Sequence, residues 1–237
     1  MRIENFELEV RVHGSLVREY SHRDWKVYIE GRRGSNFTLR VRNNGSKKIL
    51  AVPTVDGLSV MDGKQGNFES LGYVINPCSF VDVPGWRLNN NEVAQFFFSA
   101  PHESYAAKMD TPNNIGVIGC AIFEEKQPAY AIAPVLQPWQ KPNWWGDHES
   151  LRSETPKGIR TLGSLGTGFG ERTQHYVRYV QFEKAASTPV CVLEIHYDDR
   201  AGLEARGIAL RGIPEVGHPT PFPAEEVGCT PPKNWKR

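Results

Sequence analysis

Apolar and polar side chains alternate along much of this chain, and that period of two is the feature that most constrains its fold. In residues 6–12, FELEVRV, one face carries Phe6, Leu8, Val10 and Val12, and the other carries Glu7, Glu9 and Arg11. Residues 25–31, WKVYIEG, place Trp25, Val27 and Ile29 inward. NFTLRVRN repeats the pattern with Phe37, Leu39 and Val41 inward and Arg40 and Arg42 outward. Each segment reads as a half-buried strand. KILAVPTV, GYVIN, SFVDV and VAQFFFS continue the series, and their short separations favour antiparallel neighbours. GVIGCAIF is apolar at nearly every position, as expected of a central strand with two covered faces.

Two Asp-Gly pairs, Asp56-Gly57 and Asp62-Gly63, punctuate this series. They raise the question of whether the aspartates react, bind metal or turn the chain. Asp-Gly between two apolar runs suits a two-residue type I′ hairpin, whose central residues need positive φ. A calcium loop would require further oxygen ligands at close intervals, which the sequence lacks. Both pairs are therefore expected to be turns. Asn also suits such a turn, so it should replace Asp56 at little cost.

The chain has 237 residues, with 39% hydrophobic and 23% charged, which is enough for one large β domain or two small domains with a packed core. Its formal net charge of +1 and the absence of like-charge blocks give nucleic-acid binding little electrostatic support. The charged N-terminal stretch lacks the apolar core of a secretory signal. No run of residues approaches the length of a membrane span, so synthesis in the cytoplasm without membrane insertion is expected. Cys78, Cys120, Cys191 and Cys229 lie far apart and form no CxxC pair.

Residues 125–170 change character. Pro128, Pro134, Pro138, Pro142 and Pro156 exclude a regular helix or central strand and predict a long arm or loop. Tyr130, Trp139, Trp144 and Trp145 make that arm the candidate interface or ligand-binding element. It would cover its own sheet, contact another subunit or stack on a sugar. Residues 175–198 read as a closing hairpin, with Cys191, Leu193, Ile195 and Tyr197 on one face. DDRAGLEARGI then reads as a helix capped by Asp198 or Asp199 and stopped at Gly207. Residues 208–237 are proline-rich and are expected to form an extended tail.

No motif carries a catalytic assignment. GSLGTGFGE superficially resembles a phosphate loop, but a strand-like segment follows it where a helix is required, and a flexible connection is expected instead. Gly163 directly precedes Ser164, so there is no nucleophile elbow. The histidines form no HxH or HExxH cluster; His175 and His196 are the one pair that a final hairpin would bring together. No catalytic residue, metal or cofactor is expected.

EGRRGSNFTLRVRNN, VDGLSVMDGK, GYVI, PGWR, SYAA, GVIGCAIFE and DDRAGLEARGI resemble a recurrent all-β family of bacterial and phage-like genomes. That resemblance implies a virion structural type and no site residue. The expected architecture is a single all-β domain over residues 1–237. It would be a jelly-roll-like antiparallel β-sandwich with short helices and the long arm. The leading functional expectation is a non-enzymatic structural protein of a viral or phage-like particle, such as a capsid decoration or minor virion component. Its partners would be copies of itself or other structural subunits. A carbohydrate-binding β-sandwich module is the alternative.

With Cys120 and Cys191 on apolar strands and no secretory signal, no structural disulfide is expected. Mass spectrometry of freshly isolated, unreduced protein should show four free thiols; a native Cys–Cys crosslink would refute this.

Overall fold

The computed structural model describes residues 1–22, 25–127 and 163–210. Fifteen strands form two sheets within these residues. In chain order they are β1 (Arg2–Ile3), β2 (Phe6–Val12), β3 (Ser15–Leu16), β4 (Glu19–Ser21), β5 (Val27–Glu30), β6 (Asn36–Asn43), β7 (Ile49–Val55) and β8 (Leu58–Ser59). β9 (Tyr73–Ile75), β10 (Ser79–Val83), β11 (Gly85–Arg87), β12 (Glu92–Ser99), β13 (Val117–Glu124), β14 (Gly166–Gln174) and β15 (Cys191–Asp198) follow. The short helices α1 (Tyr105–Lys108) and α2 (Arg200–Ala205) and two single 3-10 turns (Pro101–Glu103 and Pro112–Asn114) complete the set. No described helix is long and apolar enough to cross a membrane.

The first sheet runs β1-β2-β6-β12-β11, with β3 on β2, β10 on β6 and β14 on β12. The second runs β4-β5-β15-β13-β7-β8, with β9 on β7. The alternation predicted from sequence determines the inner face. Phe6, Leu8, Val10, Phe37, Leu39 and Val41 of the first sheet join Ile49, Ile118, Cys120, Ile122, Leu193 and Ile195 of the second in one buried cluster. The architecture is thus mostly β, two-layered and sandwich-like. One pairing departs from the antiparallel expectation: β5 runs parallel to β15, with Val27 opposite Ile195 and Glu30 opposite Asp198. A parallel pair needs no tight turn, because the intervening chain passes through the other sheet.

The outer faces differ. On the first sheet, Glu7, Glu9, Arg40, Arg42 and Asp82 form a cross-strand ladder, in which Arg40 holds Asp82 through two bonds of 2.7 Å. Arg40 also lies over the Phe80 ring. On the second sheet, register places Val192, Ala121 and Val52 in one outward row. Ala121, Val52 and Phe123 are buried there and Leu50 packs against them, so β13 is covered on both faces as its sequence predicts. Phe68 meets Phe123 edge-on, whereas Val190 and Val192 stay exposed.

Three local expectations fail. Trp25 faces solvent, not the core, and is 96% exposed. Residues 166–174 form a strand, not a flexible connection. Their glycines admit close neighbours: a Cβ on Gly168 would fall 2.2 Å from the Phe97 ring. The stretch 175–183 contains no strand, although its aromatic and β-branched residues read as one. β15 instead lies between β13 and β5. The capping expectation holds: Asp199 Oδ1 accepts from the Gly202 amide at 2.7 Å, and Gly207 stops α2 with φ of 80°.

The Asp56-Gly57 pair is the two-residue turn between β7 and β8, with φ of 52° and 78°. The aspartate does more than turn the chain. Its side chain is 1% exposed and points inward. Oδ1 accepts from the Gly116 amide at 2.9 Å and the Tyr197 hydroxyl at 2.6 Å; Oδ2 accepts from the Thr167 amide at 2.7 Å. Thr167 Oγ1 and the Tyr197 hydroxyl are 2.7 Å apart. Burial pushes the Asp56 carboxyl up to about 6 against these stabilising bonds, and Tyr197 is raised beside it.

The expectation that Asn replaces Asp56 cheaply is therefore corrected. Asn would turn an NH2 donor toward the Thr167 amide, another donor. Asp56→Asn should lower stability by about 1–3 kcal/mol, the usual cost of a buried unmade hydrogen bond. Because the folded value lies above the ordinary 3.8, the native state holds this proton more tightly. The stability that the proton contributes is full below about 4 and is lost as pH rises through about 6. Denaturant titrations of both proteins should show the gap between them narrowing over that window. A gap that widens or stays constant would contradict the assignment.

Candidate functional site

Asp56 has the perturbed acidity often found at active sites. It lies sealed in the core, where Gly116, Thr167 and Tyr197 donate to it as part of the fold, and a substrate atom has no route to it. Among the described residues, no group of three His, Cys, Asp or Glu side chains is arranged to hold a metal ion.

An open surface hollow lies at the far end of β14. It begins with the turn between β11 and β12. Asn89 Oδ1 accepts from the Asn91 amide at 2.8 Å and the Glu92 amide at 3.0 Å, which rounds the chain as Asn does in turns. The Leu88 amide closes the turn onto the Glu92 carbonyl. Beyond Gln174, the chain leaves the ladder and runs beside this turn. The His175 amide donates to the Asn91 carbonyl at 2.7 Å and the Val177 amide to the Asn90 carbonyl at 2.8 Å. Between the two segments lies an open hollow of about 710 Å³, lined by Asn89, Asn90, Asn91, Glu92, Gln174, Tyr176 and Tyr179.

Arg87 supports this hollow from below. Nη1 donates to the His175 carbonyl at 2.6 Å, Nη2 donates to the Tyr73 hydroxyl at 2.9 Å, and Nη2 also reaches His175 Nδ1. Burial, then the nearby Arg87 charge, holds the His175 imidazole below its ordinary value. Above, Tyr176 and Tyr179 are 72% and 74% exposed, and the Tyr176 hydroxyl donates to the Gln174 side chain. The single carboxylate, Glu92, accepts from Asn89 Nδ2 at 2.9 Å and faces Arg172 at 3.6 Å. The lining thus offers amide donors and acceptors, two aromatic faces and a locally balanced charge.

Comparison with known proteins finds no matching family model, no matching curated protein and no matching solved structure. The resemblance drawn from sequence segments therefore brings no residue role to this site.

The residues expected from sequence to form the interface, Tyr130, Trp139, Trp144 and Trp145, lie outside the described residues, as do most of the 125–170 arm and nearly all of the 208–237 tail. His175 and His196 do not meet. His175 sits on Arg87 in the first sheet, while His196 in the second bonds Glu194 and packs on the Tyr28 ring at 5.2 Å. Sequence reading missed the hollow because its lining comes from two stretches more than eighty residues apart, which β12 and β14 bring together. The available signal was local: LNNNE carries three consecutive asparagines, and HYVRY carries two tyrosines three residues apart.

Proposed function

We propose that this chain is a non-enzymatic, carbohydrate-binding β-sandwich. One observation carries the reading: the hollow combines two exposed tyrosine faces with a rim of Asn and Gln side chains. Sugars present hydroxyls, which need paired donors and acceptors, and C–H faces, which pack on aromatic rings. Amides supply both hydrogen-bonding roles without a charge to desolvate. Glu92 is already engaged by Asn89 and Arg172, so the chemistry fits a neutral glycan better than an anionic one. Calorimetric titration with neutral oligosaccharides, such as cello-, malto- and chito-oligomers, tests this. At least one series should bind saturably. Tyr176→Ala with Tyr179→Ala should weaken that binding about tenfold or more, as expected for lost aromatic anchors, with an unchanged melting temperature because both rings are solvent-facing. Absence of binding across the panel would overturn the reading.

A second reading is a structural subunit of a viral or phage-like particle, with the jelly-roll-like topology that such a role suggests. It is favoured by the apolar outer face of the second sheet, where Val190 and Val192 are exposed beside the buried Phe123 and Val52. Tyr130, Trp139, Trp144 and Trp145 would then provide further apolar contacts. Mass measurement and electron microscopy of Trp144→Ala with Trp145→Ala separate the cases. A folded variant that no longer assembles supports subunit contact. A lowered melting temperature with unchanged assembly assigns the pair to the chain's own core. A wild-type protein that stays monomeric refutes the particle reading.

A further inference from the structure

The glycan reading of the hollow raises the question of what holds its two walls together, and the following inference rests on that reading. We propose that His175 is a pH-operated latch: its neutral imidazole, through Arg87, keeps residues 174–179 against the Asn89–Asn91 turn, and protonation releases them.

The tautomer is fixed by its surroundings. A guanidinium has only donors, so the ring nitrogen that Arg87 Nη2 reaches, Nδ1, must present its lone pair. The ring proton then resides on Nε2. Arg87 grips the same residue a second time through the His175 carbonyl. One cation therefore orients both the ring and the main chain of His175. The adjacent amides of His175 and Val177 are the two that close onto Asn91 and Asn90.

Protonating Nδ1 would set a donor against a donor and a cation against a cation. The groups facing the ring decide how far this is offset. β11 contributes Arg87. β9 contributes Tyr73, its ring 6.4 Å away and its hydroxyl, raised by burial, still neutral. β10 contributes Asp82, whose carboxylate is already held by Arg40. Asn89–Asn91 carry no charge, and the adjoining Glu92 carboxylate is engaged by Asn89 and Arg172. Burial and Arg87 outweigh Asp82, so the ring titrates below its ordinary value of 6.5. The folded state then binds fewer protons than the unfolded one in this range. The contribution of the latch is complete above about 6.5 and is lost as pH falls through the lower folded value. Acidification should open the hollow and release a bound glycan.

Two measurements on the full chain test this without any glycan, so failure of the carbohydrate reading leaves them interpretable. The first follows hydrogen exchange at the His175 and Val177 amides, corrected for intrinsic rates, at about pH 7.5 and about pH 5. In the wild type, protection should fall about tenfold or more on acidification. In His175→Asn, whose side-chain oxygen can accept from Arg87 but does not titrate, protection should be the same at both pH values. The second is an NMR titration of the His175 ring in the unmodified protein, where the proton should enter Nδ1 below the ordinary histidine value. Constant protection in the wild type, an equal loss in the Asn variant, or a ring that titrates at or above 6.5 would each overturn the latch.

Discussion

A buried carboxylate joins the two layers of this protein. Asp56 sits at the β7–β8 turn of the second sheet, yet it accepts from Thr167 at the start of β14 in the first. Through Gly116 and Tyr197 it also fixes the beginning of β13 and the end of β15. Sequestering a carboxylate from water is costly, and it is tolerated only where donors replace the lost hydration. Three donors converge on it here, two of them main-chain amides that cannot rotate away. Apolar contact between sheets permits small slips, whereas these bonds fix how the layers sit at this end. β14 carries that constraint along its nine residues, roughly 30 Å at about 3.3 Å per residue, to the hollow at its other end.

The strands were legible wherever side chains had to choose a face. Phe37, Leu39 and Val41 alternate in the sequence because one side of β6 is core and the other carries Arg40 and Arg42 in the charge ladder. The Asp56-Gly57 turn and the Asp199 cap were legible for a similar reason: positive φ and an orphan helix amide each favour few residue types. What the sequence concealed was the inward direction of the Asp56 side chain. A turn requirement fully explained the residue, and its three donors lie sixty or more residues away.

Glycine and tyrosine misled in opposite ways. Gly166, Gly168 and Gly170 have no side chains from which a period could be read, yet they lie in β14 beside β12, where a Cβ would meet Ser104 at Gly166, the Phe97 ring at Gly168 and the Gln95 carbonyl at Gly170. Residues 176–180 have the aromatic and β-branched composition of a strand, but Tyr176, Tyr179 and Val180 are all exposed. Such composition signals a strand only if one face is buried, and burial is a property of the whole fold. The hollow was invisible for the same reason. Neither the asparagine turn nor the tyrosine segment is unusual alone, and only the β12–β14 ladder and Arg87 place them side by side.

The parallel contact between β5 and β15 has a consequence for the order of events during synthesis. Val27 leaves the ribosome long before its partner Ile195 exists. Until then β5 can pair only with β4 and presents an open edge to any other extended chain. The first sheet has most of its members by residue 99, whereas the second cannot close before residue 198. Contacts of such long range slow folding, because their loop entropy must be overcome late. A nascent chain of this protein therefore passes through a stage with one layer largely assembled and the other unfinished, a stage at which a chaperone or a second nascent copy competes for the same edge.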